Sequence, residues 1–341
     1  MAISTPDMDG HPVGLADWLE LHVLASGVDS YPVENLVAAW DPERDEESEN
    51  IGDDDAYGED LMQRAANEIL RRREILGEHY PFLLSDDGAL LTRCEIITPG
   101  GYVYLFCLWL SQANDGGYIG SSYFPITNRD RDLFQVCATL AAAGFLEGHA
   151  HSFGWPRADD SGFIAALNRT YSLLGEGRPK PGPSFPPGVS RQTKDAGIDV
   201  IAWRDVPDRT CGRLYLLGQA ASGRNWQGKS IKHLIPGFHE DFFLDTPPSP
   251  PIPALFVPFC LQAWVDLNPA YEIEETVNEY LRRQTRDFGI LFFRYRMAYY
   301  AAKGLTLAAA AMVKIERAQE FASVCARVDS FVAGLKEGRP E

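Results

Sequence analysis

Apolar and polar positions along this chain follow two periods, and the changes from one to the other mark its elements. A spacing near 3.6 predicts helices over residues 16–25, 60–77, 131–148 and 162–175, with a short further element at 33–40. Residues 102–110, YVYLFCLWL, are apolar on every side and predict a buried helix. Runs rich in β-branched and aromatic residues predict strands at 90–97, 197–203, 213–219 and 254–260. From 271 to 332 the helical period returns.

Proline and glycine punctuate this pattern. The runs EGRPKPGPSFPPG at 176–188 and TPPSPPIP at 246–253 interrupt regular structure and border the central strands. Three regions follow: a mainly helical N-terminal domain, 1–125; an α/β core, 126–262; and a helical C-terminal region, 263–341. The middle region has the order helix, strand, helix, strand, strand, helix, strand. That order fits the α/β (α+β) class, with a mixed sheet flanked by helices.

Candidate chemistry lies in the two central strands. Asp199 stands inside the apolar run GIDVIAW, and Gln219 ends RLYLLGQ after a turn containing Pro207, Asp208 and Gly212, so the pair predicts a hairpin. A carboxylate in so apolar a strand requires a cation or strong donors. Mg²⁺ takes oxygen ligands and is often held by one or two carboxylates together with substrate phosphate, so Mg²⁺, or Mn²⁺ in its place, suits Asp199. Gln219 adds a neutral carbonyl oxygen, and Lys229 follows on 225–234, which reads as a helix folding back on the hairpin. The plainer alternatives are that Asp199 is a structural carboxylate beside a turn and Lys229 a solvated helix residue.

The residues Asp195, Gly197 and Asp199, followed by Gly218-Gln219-Ala220-Ala221-Ser222-Gly223-Arg224-Asn225-Trp226, resemble a pattern of the PD-(D/E)xK, restriction-endonuclease-like superfamily. The likeness is to a prokaryotic branch associated with defence islands. The stretch His151–Arg157 is similar to that branch as well. The resemblance implies a restriction-endonuclease-like mixed sheet, with Asp199 as metal ligand, Gln219 in place of the second acid, and Lys229 as a catalytic lysine shifted onto the next helix. Asp195 would be a further metal ligand. The chain departs from the family where Ala221 occupies the usual lysine position and Gln135 that of an upstream helical acid. Arg157, Arg178, Lys180, Arg191, Arg224 and Asn225 are candidate nucleic-acid contacts; Arg178, Lys180 and Arg191 serve equally well as residues of a plain linker.

Charge complicates this picture. The chain of 341 residues has 31 Lys and Arg against 48 Asp and Glu, a formal net charge of −17, whereas nucleic-acid binding draws on Lys and Arg. Eleven of the acids fall between Asp41 and Asp60, a stretch that reads as a solvated acidic loop or as a phosphate mimic covering a groove. Arg71, Arg72 and Arg73 end the 60–77 helix and suit either phosphate contact or a solvated helix end. In the C-terminal region Arg282, Arg283, Arg286, Arg294, Arg296 and Lys303 interleave with aromatics, which suits base stacking or a core face edged by arginines.

No apolar run reaches membrane-spanning length, the start MAISTPDMDG lacks a secretory pattern, and the six cysteines include no C-x-x-C pair. A cytoplasmic protein without structural zinc or disulfides is expected. The function expected is a metal-dependent endodeoxyribonuclease, effector of a prokaryotic anti-phage system, with DNA and a protein of the same defence operon as partners. A homodimer would serve double-strand cleavage. The alternative is a catalytically degenerate nuclease-fold subunit that binds DNA or a partner protein.

Overall fold

A computed structural model describes residues 3–5, 11–40, 51–114, 116–122, 124–157, 159–184, 194–265 and 271–338. The chain divides into two compact units, 1–126 with 259–280 and 325–341, and 127–258 with 281–324. The C-terminal region expected as one piece is therefore shared between the two.

The first unit contains Pro12–Ala25 (α1), Ser30–Pro32 (β1), Asn35–Trp40 (α2), Ile51–Leu76 (α3), Phe82–Leu84 (β2), Leu90–Arg93 (β3) and Pro99–Gln112 (α4). Its three strands form an antiparallel sheet in the order β1-β3-β2. Thr98 caps α4 by accepting from the Gly101 N–H at 3.2 Å, and Pro99 fits the first turn, where no N–H is needed.

Two sequence expectations change here. Residues 51–60 are the start of α3 rather than loop; 41–50 lie outside the described residues. Arg72 is not solvated. It is fully buried, donates to Asp17, Glu20 and Glu68 at 2.7–2.9 Å, and is joined there by the hydroxyls of Tyr80 and Tyr104. Asp17 and Glu20, three residues apart on the otherwise apolar α1, were the signal that a cation would meet them.

The second unit opens with Asn128–Leu146 (α5) and His149–Ser152 (β4). Thr127 and Asp130 cap α5 reciprocally: Thr127 Oγ1 accepts from the Asp130 N–H, and Asp130 Oδ2 accepts from the Thr127 N–H at 2.8 Å. Then come Phe163–Leu174 (α6), Arg178–Pro179 (β5), Val200–Arg204 (β6), Leu214–Ala220 (β7), Leu234–Phe242 (α7), Phe243–Asp245 (β8) and Ile252–Phe256 (β9). Ile273–Phe288 (α8) brings its C-terminal half into this unit, followed by Ile290–Phe292 (β10) and Arg294–Ala309 (α9). Phe321–Glu337 (α10) returns the chain to the first unit.

The sheet order is β10-β9-β7-β6-β4. β7, β9 and β10 are parallel, and β6 runs antiparallel to both β7 and β4. The expected mixed α/β sheet flanked by helices is thus present. On one face Ile201, Trp203, Tyr215 and Leu217 pack with Leu167 and Tyr171 of α6 and Phe238 and Phe242 of α7. Alternate residues turn the other way, and α5 packs along β4, β6 and β7. α9 lies against α5 so closely that a Cβ on Gly144 or Gly304 would strike the opposing backbone.

β10 was not expected. Its three residues sit between two helical patterns, and Gly289 at φ 84° is the break that frees them to pair with β9. The loop 176–188 likewise contains a short strand, β5, paired with β8.

The acidic excess is confined to one unit. The first unit has 9 Lys and Arg against 32 Asp and Glu, a balance of −23, while the second has 22 against 16, a balance of +6.

Candidate functional site

Asp199 lies one residue ahead of β6 rather than within it. Ala196 and Gly197 both adopt left-handed conformations, φ 54° and 79°, so the chain turns sharply before entering the strand. Asp195 closes that turn, its Oδ1 accepting from the Gly197 N–H at 2.9 Å. The Asp199 N–H donates to Gly218 O at 2.8 Å, and Asp199 O accepts from Phe153 and Gly154 at 2.7 and 3.0 Å. This backbone stitching ties the end of β4 and the end of β7 to the same residue.

The side chain is stitched too. Asp199 Oδ2 accepts from the Ala220 N–H at 2.9 Å. Oδ1 lies over Gly154 beside Gln135 Oε1: a Cβ on Gly154 would strike both oxygens, which is why glycine stands there. Gln135 is oriented by donating Nε2 to Ser152 Oγ at 2.7 Å, which turns its carbonyl oxygen toward Asp199. The Ser152 N–H in turn donates to Glu316 at 3.0 Å.

Burial pushes the Asp199 carboxyl up to about 7; the Ala220 N–H pulls it down, the negative charge of Asp195 adds to the rise, and the Lys229 ammonium opposes it. Asp199, Asp195 and Lys229 are therefore brought into one electrostatic neighbourhood. Gln219 sits between Gly218 and Ala220, both bonded to Asp199, and its Oε1 is buried without a hydrogen-bond partner. An orphaned buried acceptor is costly unless a ligand completes it.

Lys229 is exposed, but not on a helix as its sequence suggests. The segment after Asn225 makes a single 3-10 turn, Trp226–Gly228, with Lys229 as its C-cap. Buried Trp226 anchors this turn against Phe288, with ring centroids 5.5 Å apart. Ala221, where the family lysine would stand, is buried.

The candidate nucleic-acid contacts fare differently. Arg157 is buried and braces its own loop, donating to Ser161 O and Lys194 O and lying 5.0 Å from the Phe153 ring. This internal use stands against the expectation of Arg157 as a nucleic-acid contact. Arg178 of β5 pairs with Asp245 of β8 at 2.8 Å, and Lys180, just after β5, donates to Glu240 O of α7 at 2.7 Å. Arg224 and Asn225 are exposed on the segment leading to Lys229, and Arg191 lies outside the described residues. Arg294 is buried and Arg296 donates to Leu291 O at 2.9 Å while covering the Phe293 ring, as arginines edging a core do.

Gly154 and Ser152 were missed from the sequence. The motif HSFGWPR contains both, but only the fold shows that Gly154 is where Gln135 and Asp199 meet.

The donor chemistry fits a hard cation. Asp199 offers a carboxylate, Gln219 an orphaned amide oxygen and Gln135 a second amide oxygen. Among the described residues no three His, Cys, Asp or Glu side chains gather as a metal-binding set. Mg²⁺ needs fewer, since water and substrate phosphate complete its shell. No helix of the described residues is long and apolar enough to cross a membrane. Comparison with protein-family models, curated proteins and solved structures found no match to this chain.

Proposed function

We propose that this chain is a Mg²⁺- or Mn²⁺-dependent endodeoxyribonuclease of the restriction-endonuclease-like type, acting in defence against phage. The observation that carries the proposal is Asp199: a half-buried carboxylate, raised to about 7, which meets the Gln135 amide oxygen over Gly154 and is bonded to the strand residues on either side of Gln219, whose own amide oxygen is left without a partner. Inside a protein such a group is stabilised by a cation, and the exposed Lys229 alone does not offset its burial. Bound at these oxygens, Mg²⁺ would supply Lewis-acid polarisation of a phosphodiester. Asp199 provides the negative charge that holds the cation, Gln219 and Gln135 orient neutral oxygens, and Asp195 raises the local negative potential. Lys229 steadies charge developing on phosphate oxygen or orients the attacking water. The positive balance of the second unit, +6, supports a polyanionic substrate despite the charge of the whole chain.

The test is cleavage of supercoiled plasmid with Mg²⁺ or Mn²⁺, wild type against Asp199→Ala. Cutting by the wild type alone supports the proposal, whereas equal cutting by both, or by neither, rejects it. One observation favours a second reading. The carboxylate whose charge acts on Asp199 is that of Asp195, and positions 135 and 219 are glutamines, so a catalytically silent subunit that binds DNA or a partner protein is the alternative; salt-sensitive DNA binding without cutting identifies it.

A further inference from the structure

On the far side of the Lys229 turn the second unit has an open cleft of about 460 Å³. Its walls are Gln227, Ser230 and His233 from the turn and Gln284, Asp287 and Phe288 from the end of α8. We infer that this cleft is a nucleotide subsite, taking a nucleobase with its phosphate directed toward Lys229. The inference rests on the proposed function, since it places the subsite next to the scissile phosphate.

Shape and chemistry both lead to this ligand class. The volume lies within the range of small-molecule clefts. The lining is polar and apolar in about equal parts: two carboxamides, an imidazole, a hydroxyl and a carboxylate over an aromatic floor, where Phe288 rests on Trp226. Neither the Gln227 nor the Gln284 carboxamide is used in a hydrogen bond within the described residues. Each offers a donor and an acceptor on one planar edge, the pattern that matches a base edge.

A cationic ligand is disfavoured by how the end of α8 is closed. The carbonyls of Arg286 and Asp287, the negative pole of the helix, already accept from Lys232 Nζ at 2.7 Å and Ser230 Oγ at 2.8 Å. The Asp287 carboxylate is met by Arg286 at 3.4 Å. The basic residues contiguous with the lining are Lys232, whose Nζ reaches the carbonyl of Arg286, Arg286 itself beside Asp287, and Lys229, which stands in the chain between the lining residues Gly228 and Ser230 with its exposed side chain outside the lining. Because the same Lys229 charge acts on Asp199, a phosphate attached to a base in the cleft is led to the carboxylate.

The experiment titrates the full chain with a deoxynucleoside 5′-monophosphate in EDTA, following tryptophan fluorescence. Inorganic phosphate and the uncharged deoxynucleoside serve as separate arms. The expected result is saturable binding of the mononucleotide, weaker binding of the nucleoside, none of phosphate alone, and about tenfold weaker mononucleotide binding in Gln227→Ala/Gln284→Ala. Absence of mononucleotide binding, equal binding of inorganic phosphate, or no effect of the double substitution overturns the inference. Thermal unfolding of the double variant, expected to match wild type because both side chains are at the surface, excludes misfolding as the cause. The titration contains no metal, so the two proposals fail separately: binding without plasmid cleavage rejects the nuclease, and cleavage without binding rejects the subsite.

Discussion

In the first unit Asp17, Glu20 and Glu68 surround Arg72, and the hydroxyls of Tyr80 and Tyr104 complete Glu20. In the second, Asp199 has one backbone N–H, a neighbouring acid and an exposed lysine. The first group is buried and Asp199 is half-buried, and one centre is closed within the chain while the other is open. A closed centre holds a fold together, because any missing partner leaves an uncompensated charge. An open one stores unfavourable energy that a bound cation relieves. The contrast in net charge follows the same division, −23 around the closed centre and +6 around the open one.

Substitutions test the contrast directly. The largest effect belongs to Asp199→Ala, which is expected to lower Mg²⁺-dependent plasmid cleavage by roughly 10³- to 10⁴-fold without loss of folding, as followed by circular dichroism. Arg72→Met should act in the opposite sense, leaving the second unit's chemistry alone and destabilising the protein by roughly 3–5 kcal/mol in urea unfolding, because Glu20 and Asp17 lose their cation. Finding Arg72→Met as stable as wild type would remove the distinction between the two centres.

A subtler difference appears in pH dependence. The Asp199 carboxyl keeps its proton up to about pH 7 in the native chain, whereas an unfolded aspartate ionises near pH 4. The native state therefore binds the extra proton, and wild-type stability contributed by this residue falls as pH rises from about 4 to 7. Asp199→Asn lacks that slope and should exceed wild type at pH 8 by on the order of 3 kcal/mol, measured by urea unfolding at pH 5 and 8. Parallel pH profiles for the two proteins would show that Asp199 is not held in the raised state. The smallest effect is that of Lys229→Ala, expected to reduce cleavage about 10- to 100-fold with unchanged unfolding, since the side chain is exposed.

Much of the scaffold was legible in the sequence, for reasons specific to each element. β6 and β7 follow from their β-branched and aromatic runs, and α5 and α6 from their helical spacing, because these patterns are long enough to fix a period. β10 has three residues and no period of its own, so neighbouring helical patterns absorbed it. The apolar run alone puts Asp199 mid-strand, because composition does not reveal that Ala196 and Gly197 turn left-handed before it. The proline-free stretch 225–234 reads as a helix carrying Lys229, whereas in the fold it makes a single turn over buried Trp226. Arg72 looked solvated among three consecutive arginines, and only tertiary contact with α1 selects the middle one for burial. The cleft between Gln227 and Gln284 joins residues 57 positions apart and left no local signal.

The most direct test of the open centre is metal binding itself. Mn²⁺ binding to the intact chain, measured by electron paramagnetic resonance at pH 8, is expected to show a site in the wild type that Mg²⁺ displaces and that Asp199→Asn loses. Equal Mn²⁺ binding by wild type and Asp199→Asn, or none by either, would contradict the account.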